Sequence, residues 1–360
     1  MKQKILFVYN WVPDDMRKNE LSECASTETV NLIKQILSWY QLDVIPLNAQ
    51  NEKQMADFIK ENMPLDLAFV IAEGFLDQLS SLYDGTGVLR VREILEFYKI
   101  PYTHSGLKSM EICRNKFISY KALESKEIYI PKFYLFLDDG LENITKAEKT
   151  VGYPMFIKPN GGGNSIGVDE NSIVNNRSEL IKKIAQLRNL TGEQPILAET
   201  YLSGREYTVG IIGNEVPYIL PIIAFPKEFI VRSQQIKKLE YKEREKFEII
   251  PLSNPVGLKI HEIALRTYDA IGARDLIRID LKQDSNGNIY VIDVNGTPSL
   301  ASKGSLSYMA EKVGINHTEL IGFFLYVTMI RYSLPINDIL IDTAVKVIAK
   351  LKEDYDNQVA

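Results

Sequence analysis

Hydrophobic and polar positions change period several times along this chain. Lys4–Tyr9 is a β-rich run, and Val30, Ile33, Leu37 and Tyr40 then recur at helical spacing over residues 27–40, behind Ser26 and Thr27 as caps. Residues 42–47 read as a strand, 51–62 as a helix and 65–71 as a continuous apolar strand, with another helix over 88–99. That alternation predicts a small parallel sheet covered by helices. A second stretch holds a strand at 130–136, a helix near Leu141–Thr150 and a strand at 153–159. A glycine run, a further strand, an amphipathic helix over 178–188 and a β-like segment at 196–202 follow. Beyond it strands dominate, at 207–212, 216–224, 276–282 and 289–295. Residues 225–247 are charged and aperiodic, a candidate long loop of the kind that is functional or disordered.

The 360 residues exceed what one core organises, so two or three domains are expected. A formal net charge of −5, with no basic block, argues against nucleic acid as a partner. The most apolar stretch, Leu320 to Ile330, is too short to span a bilayer as a helix and reads as a buried one; no membrane partner is expected. Cys24 and Cys113 are too few for a disulfide framework or a zinc site, His104, His261 and His317 lie far apart, and the N-terminus lacks a signal-peptide layout. A cytoplasmic location is the expectation.

Three segments carry candidate chemistry. In IRIDLKQ, strand alternation puts Arg278 and Asp280 on one face, and in YVIDVNG Val291, Asp293 and Asn295 share one. If Asn286–Gly287 is the hairpin turn between them, Asp280 opposes Asp293 and Arg278 opposes Asn295. Opposed carboxylates repel unless neutralised, and an oxygen-only donor set favours Mg²⁺. The alternative is a solvated polar face. In FIKPNGGGNSIGV, Lys158 ends a strand before Gly161–Gly163 and Ser165, a phosphate-cradling arrangement that is neither a Walker A loop nor a dinucleotide fingerprint. Taken alone, it reads more readily as the tip of a hairpin. In ETYLSGRE, Glu199 and Glu206 flank a turn, either as nucleotide-binding acids or as surface acids.

Taken in order, these segments resemble the D-alanine–D-alanine ligase family of ATP-grasp enzymes, from about residue 65 to 321. The resemblance implies an α/β (α+β) three-domain fold: an N-terminal parallel-sheet domain (1–106), a central lid domain (107–197) and a C-terminal, mostly antiparallel catalytic domain (198–360). RNKFISYK places the first ATP lysine on Lys116. The glycine segment places the second on Lys158 and the phosphate-covering loop on Gly162, Gly163, Asn164 and Ser165. Adenine and ribose contacts fall on Glu199, Leu202 and Glu206. Metal ligands fall on Asp280, Asp293 and Asn295, and the oxyanion donor on Arg278. GSLSYMAEKVGI places a substrate contact on Ser305, and STETV places the ammonium-binding acid on Glu28, which is equally a helix N-terminal acid.

The implied reaction is ATP-dependent, ADP-forming joining of an amino-acid carboxylate to an amine through an acyl phosphate. ATP and Mg²⁺ would be the cofactors, two ions by the family pattern, with Mn²⁺ an alternative. Amino acids or short peptides would be the substrates, and the family is commonly a homodimer. The sequence also departs from the family. Asp293 stands where glutamate is usual, Gly296–Ser299 replaces Pro-Gly, and the first-domain His-Gly and Gly-Glu-Asp-Gly pattern is absent. Tyr241 and Lys242 only loosely echo the active-site loop. These departures suit a ligase for other amino acids or for a peptide precursor, as in a natural-product pathway. A non-catalytic ATP-binding module is the reading from another class.

Overall fold

The computed structural model describes residues 2–163, 165–233 and 244–359. Asn164 and the Tyr241–Lys242 pair lie outside the described residues. Three sheets organise the described residues. The first is parallel, with β1 (Lys4–Tyr9) between β2 (Asp43–Asn48) and β3 (Leu67–Val70). Its strands alternate with α1 (Thr27–Trp39), α2 (Glu52–Asn62) and α3 (Thr86–Phe97). Ser26 and Asn51 cap α1 and α2 by accepting from Thr29 N and Gln54 N. Leu6, Val8, Ala68 and Val70 on one face pack with Met55 and Ile59 of α2 and Val91 and Leu95 of α3.

Two short helices, α4 (Leu107–Arg114) and α5 (Lys116–Glu124), lead to the second sheet. That sheet has the order β4 (Phe133–Phe136), β7 (Ile196–Thr200), β5 (Met155–Pro159), β6 (Ile173–Val174) and is antiparallel. The helices α6 (Leu141–Thr150) and α7 (Arg177–Thr191) cover one face, burying Met155, Ile157, Ile196 and Ala198. Phe156, Lys158 and Glu199 are left on the other. The sheet needs the whole of β7, which runs on to Thr200.

The third sheet is antiparallel and joins β8 (Glu206–Gly213), β9 (Tyr218–Ile219), β10 (Ile222–Ala224), β11 (Glu248–Ile250), β12 (Asp275–Gln283) and β13 (Ile289–Asn295). The strand expected over 216–224 is broken into β9 and β10 at Leu220–Pro221. Helix α8 (Pro255–Ala270) covers the face carrying Ile277, Ile279 and Leu281. Three helices close the chain: α9 (Ser305–Lys312), α10 (His317–Arg331) and α11 (Asp338–Val359). The apolar run expected to be a buried helix is α10. Its Phe323, Phe324 and Met329 share one core with Ile5, Phe7, Leu67 and Phe69 of the first sheet and Leu276 of the third. Among the described residues, no single helix is long and apolar enough to cross a membrane. Both cysteines are free and buried.

His104 lies in this shared core, 1% exposed, its ring 4.6 Å from that of Phe324. Burial, then the Arg92 and Arg331 charges, hold its pKa well below the ordinary value. The folded chain therefore refuses a proton that the unfolded chain takes up below about pH 6.5. His104 thus leaves stability intact above that pH and removes about 1 kcal/mol by pH 5.5. Burial holds His261 and His317 low as well, so they act in the same direction. Urea midpoints should fall from pH 7.5 to about pH 5.5, and His104→Asn should flatten that slope in part. Asparagine tolerates the φ of +70° at this position. An unchanged slope in the variant would count against this account.

Candidate active site

The open faces of the second and third sheets enclose one cleft. It is lined by Lys116, Lys158, Gly161–Gly163, Ser165, Glu199, Leu202, Glu206, Arg278, Asp280, Asp293 and Asn295, with Phe156, Tyr201, Arg232, Lys282 and Ile292 among the others. Most of the residues singled out in the sequence thus meet in one place. Glu28 and Ser305 are not in its lining. Glu28 is exposed on the first turn of α1, where Ser302 Oγ donates to its Oε1 at 3.0 Å, and Ser305 begins α9 just after that loop.

Asp280 does pair with Asp293, and Arg278 with Asn295. The turn between them is not the one expected. Gln283 pairs with Ile289, so the reversal is a wider turn spanning Asp284–Asn288. Asp284 closes it by accepting from Asn286 N and Asn288 N at 2.8 Å each. That register alone would slip every later pair by one. A β-bulge between Asp280 and Leu281 on one strand and Val291 and Asp293 on the other restores it, with Ile292 as the extra residue. Val291 consequently does not share a face with Asp293. It pairs with Leu281 and is buried with Ile289 and Val294 against α8, while Ile292 faces the cleft.

The bulge also aims a carbonyl. Lys158 Nζ donates to Ile292 O at 3.1 Å and lies 2.8 Å from Glu199 Oε2, and both side chains are buried. Tyr120 donates its hydroxyl to the same Glu199 oxygen at 2.6 Å. Burial, then Glu199, push the phenol pKa well above its ordinary value, so the hydroxyl keeps its proton. Glu199 is therefore engaged through Oε2 by both groups.

Lys116 is brought alongside by an asparagine pair. Asn115 caps α5 by accepting from Ile118 N, and its Oδ1 also accepts from Asn160 Nδ2, both at 3.0 Å. Asn160 Oδ1 in turn accepts from Phe117 N at 2.8 Å. Lys116 Nζ donates to Gly162 O at 3.1 Å and lies 3.7 Å from Asp293 Oδ1. Burial lowers the Lys116 pKa, and Asp293 offsets this only in part. Gly162 has φ of +80°, a conformation glycine adopts without strain.

On β12, Arg278 donates from Nε and a terminal nitrogen to the two oxygens of Asp280, each at 2.9 Å, and Thr208 Oγ1 is 2.6 Å from Asp280 Oδ1. Burial opposes the Arg278 charge, but Asp280 outweighs it and raises the pKa. Glu206 is bound by Arg232 at 2.7 Å and Lys282 at 3.4 Å. Burial would raise its pKa, and the two cations together hold it below its ordinary value. Ser165 Oγ donates to Arg232 O at 2.9 Å, which ties the glycine loop to the residues after β10.

Among the described residues, no three His, Cys, Asp or Glu side chains are grouped to hold a metal. A cation here would draw on Asp280, Asp293 and the amide of Asn295, an all-oxygen set that fits Mg²⁺ or Mn²⁺. The side chain of Asp293, 31% exposed, is open to the cleft.

A family model described as the D-ala D-ala ligase C-terminus matches residues 123–325, more than half of the chain. The chain belongs to the D-alanine–D-alanine ligase family. This ATP-grasp ligase is 27% identical over 299 residues to a D-alanine–D-alanine ligase of Chloroherpeton thalassium, covering 80% of this chain and 76% of that one. It is 28% identical over 280 residues to D-alanine–D-alanine ligase A of Bacillus cereus, covering 78% and 85%. Its fold matches the D-alanine–D-alanine ligase of Bacillus anthracis with a TM-score of 0.68 at 22% identity, covering 92% of this chain and 99% of that one. The VanG D-Ala:D-Ser ligase of Enterococcus faecalis gives a TM-score of 0.68 at 18% identity, covering 91% and 100%.

Sequence reasoning missed Tyr120, Arg232, Lys282 and Ile292. Lys282 continues the Arg278–Asp280 alternation, and Tyr120 lies one helical turn beyond Lys116 on α5, so both were within reach of periodicity. Arg232 lies in an aperiodic loop and Ile292 on a bulge, where no period marks them.

Proposed function

We propose that this ligase joins an amino-acid carboxylate to an amine in two steps at the expense of ATP. The substrate carboxylate oxygen attacks the γ-phosphorus, the bond to the β-phosphate oxygen breaks, and ADP leaves. The amine nitrogen then attacks the acyl carbon, the tetrahedral intermediate expels inorganic phosphate, and the nitrogen gives up its proton. The observation that carries this reading is the convergence of Arg278, Asp280, Asp293, Lys116 and Lys158 on one cleft. Phosphoryl transfer needs positioning and charge neutralisation above all. Lys116 and Lys158 would face the phosphates, the loop at Gly162, Gly163, Asn164 and Ser165 would cover them, and Glu199, Leu202 and Glu206 would take the adenosine end. Mg²⁺ held at Asp280, Asp293 and Asn295 would neutralise phosphate charge. Arg278 would stabilise the oxyanion of the tetrahedral intermediate. The Bacillus anthracis relative was solved complexed with ATP, which supports the assignment of the nucleotide.

The second reading concerns substrate. IAEGFLDQLSSLYDGTG stands where the family has its His-Gly and Gly-Glu-Asp-Gly pattern, Gly296–Ser299 replaces Pro-Gly, and Asp293 replaces glutamate. These changes favour an acid or amine other than D-alanine. A phosphate-release screen of D- and L-amino acids, singly and in pairs, with Mg²⁺ and ATP, decides between them. Release with D-alanine alone assigns the family's own reaction, and release only with another acid or pair assigns the second. ATP binding with no release in any arm would overturn both and leave a binding module.

A further inference from the structure

Glu73 follows β3 and is 7% exposed, and nothing in the proposed reaction uses it. Its backbone is fixed: Glu73 N and Gly74 N both donate to Asn10 Oδ1, at 2.8 and 3.2 Å, and Asn10 Nδ2 donates back to Gly74 O at 2.9 Å. Its carboxylate therefore leaves a rigid base in one direction. Oε2 lies 3.3 Å from a guanidinium nitrogen of Arg114 on α4, and both side chains are buried. A buried carboxylate needs such a partner. Oε1 accepts from Thr297 Oγ1 at 2.7 Å, across 224 positions of sequence.

Thr297 lies in the loop that leaves β13. Its N–H donates to Asn295 Oδ1 at 3.0 Å. Between the two, Gly296 presses on α4 so closely that a Cβ there would lie 2.6 Å from Met110 Sδ and 3.1 Å from Cys113 Sγ. The loop is thus held from below by α4 and from the side by Glu73, and the grip ends on the Asn295 amide. An amide oxygen accepts two hydrogen bonds or one bond and one cation. With Thr297 N on one lone pair, the other has a set direction.

We infer that Glu73 is a positioning residue: anchored by Arg114, it holds Thr297 and thereby orients Asn295 toward a divalent cation in the cleft. This rests on the metal assignment of the proposed function. The relay joins the first sheet to the third, so the cation site is complete only when both are docked.

The test is Mn²⁺ affinity in the presence of ADP, read by electron paramagnetic resonance on the full chain, alongside ADP affinity without metal and the melting temperature. Thr297→Val keeps the shape and removes the hydroxyl. It should weaken Mn²⁺ binding about tenfold, as loss of an outer partner of a metal ligand does, with metal-free ADP affinity unchanged. Glu73→Ala should weaken it by a similar factor, and the double variant no further, because both changes cut one relay. Glu73→Gln keeps an acceptor for Thr297 but removes the largest of the negative charges that face Arg114, leaving Glu23 and Asp293. It should lower the melting temperature yet retain Mn²⁺ affinity near that of the wild type, which a merely structural role would not do. If Glu73→Ala does not fold, Thr297→Val carries the test. Unchanged Mn²⁺ affinity in Thr297→Val, or losses that multiply in the double variant, would overturn the relay. Absence of Mn²⁺ binding to the wild type would overturn it together with the metal site. A wild type that binds Mn²⁺ as expected yet releases no phosphate defeats the proposed reaction alone.

Discussion

Lys158→Met is expected to abolish measurable phosphate release and to destabilise the fold, for two separable reasons. Lys158 and Glu199 form an ion pair in which both side chains are buried. Removing one member of such a pair costs about 3–5 kcal/mol, because a buried charge is left behind. The hydroxyl of Tyr120, still donating to Glu199, places the value at the lower end. The loss of turnover has another origin: a fixed cation is missing where phosphate charge develops, a deficit of about 10²–10³ in rate per donor. Lys158→Met/Glu199→Gln tells the two apart. It removes the stranded charge, so the urea midpoint should recover most of its loss while phosphate release stays at background. Recovery of turnover in the double variant would show that Lys158 acts through folding alone.

The elements were legible because their periods are clean. β1 and α6 lie where the hydrophobic pattern put them: α6 buries one face against the second sheet, and β1 is apolar throughout because its two faces enter two cores. The broken strand at β9 and β10 was not, because Pro221 interrupts a run that is apolar throughout. The pairing of Asp280 with Asp293 was read correctly from a turn that the chain does not make. The Asn-Gly signal fixes where the chain reverses only to within a residue. Asp284 adds two backbone hydrogen bonds and widens the turn, and the bulge at Ile292 then returns the register. A slip of one residue would move Asp293 into the apolar core against α8, so the burial of the opposite face selects the bulge.

Charge pairing was the less legible part of the site. Sequence reading assigned Glu199 and Glu206 to a nucleotide and left the lysines free for phosphate. In the fold, Glu199 meets Lys158 and Glu206 meets Arg232 and Lys282. A pocket with this many buried charges pairs them with one another, because the desolvation of an unpaired charge is too costly. Each lysine reaches its glutamate from the neighbouring strand of the same sheet and Arg232 reaches Glu206 from an aperiodic loop, and nothing local in the sequence pairs them. Glu28 belongs to the same lesson. Its contact with Ser302 depends on how α1 meets the loop before α9, a tertiary fact.

Asp280→Asn is expected to bring phosphate release down to background, and Arg278→Lys to lower it by about 10²-fold, and the contrast between them is the stronger test. Asparagine keeps the size of Asp280 and an acceptor for Thr208 Oγ1. It strands the buried charge of Arg278, however, so the urea midpoint should fall as well and turnover is compared on folded protein. It removes the charge that faces Asp293 across the strands, and Mn²⁺ affinity should fall with turnover. Lysine keeps the charge of Arg278 but not the planar fork that makes two parallel bonds to Asp280. If Arg278 serves the oxyanion of the acyl step, Arg278→Lys should lose turnover while Mn²⁺ and ATP affinities stay near those of the wild type. Isotope exchange between ATP and ADP in the presence of the acid should then survive, because forming the acyl phosphate does not need that donor. Loss of exchange together with turnover would place Arg278 at the phosphoryl-transfer step instead. Near wild-type turnover in Asp280→Asn would leave the opposed carboxylates without a cation to bind, and the hairpin would revert to a polar face of the sheet.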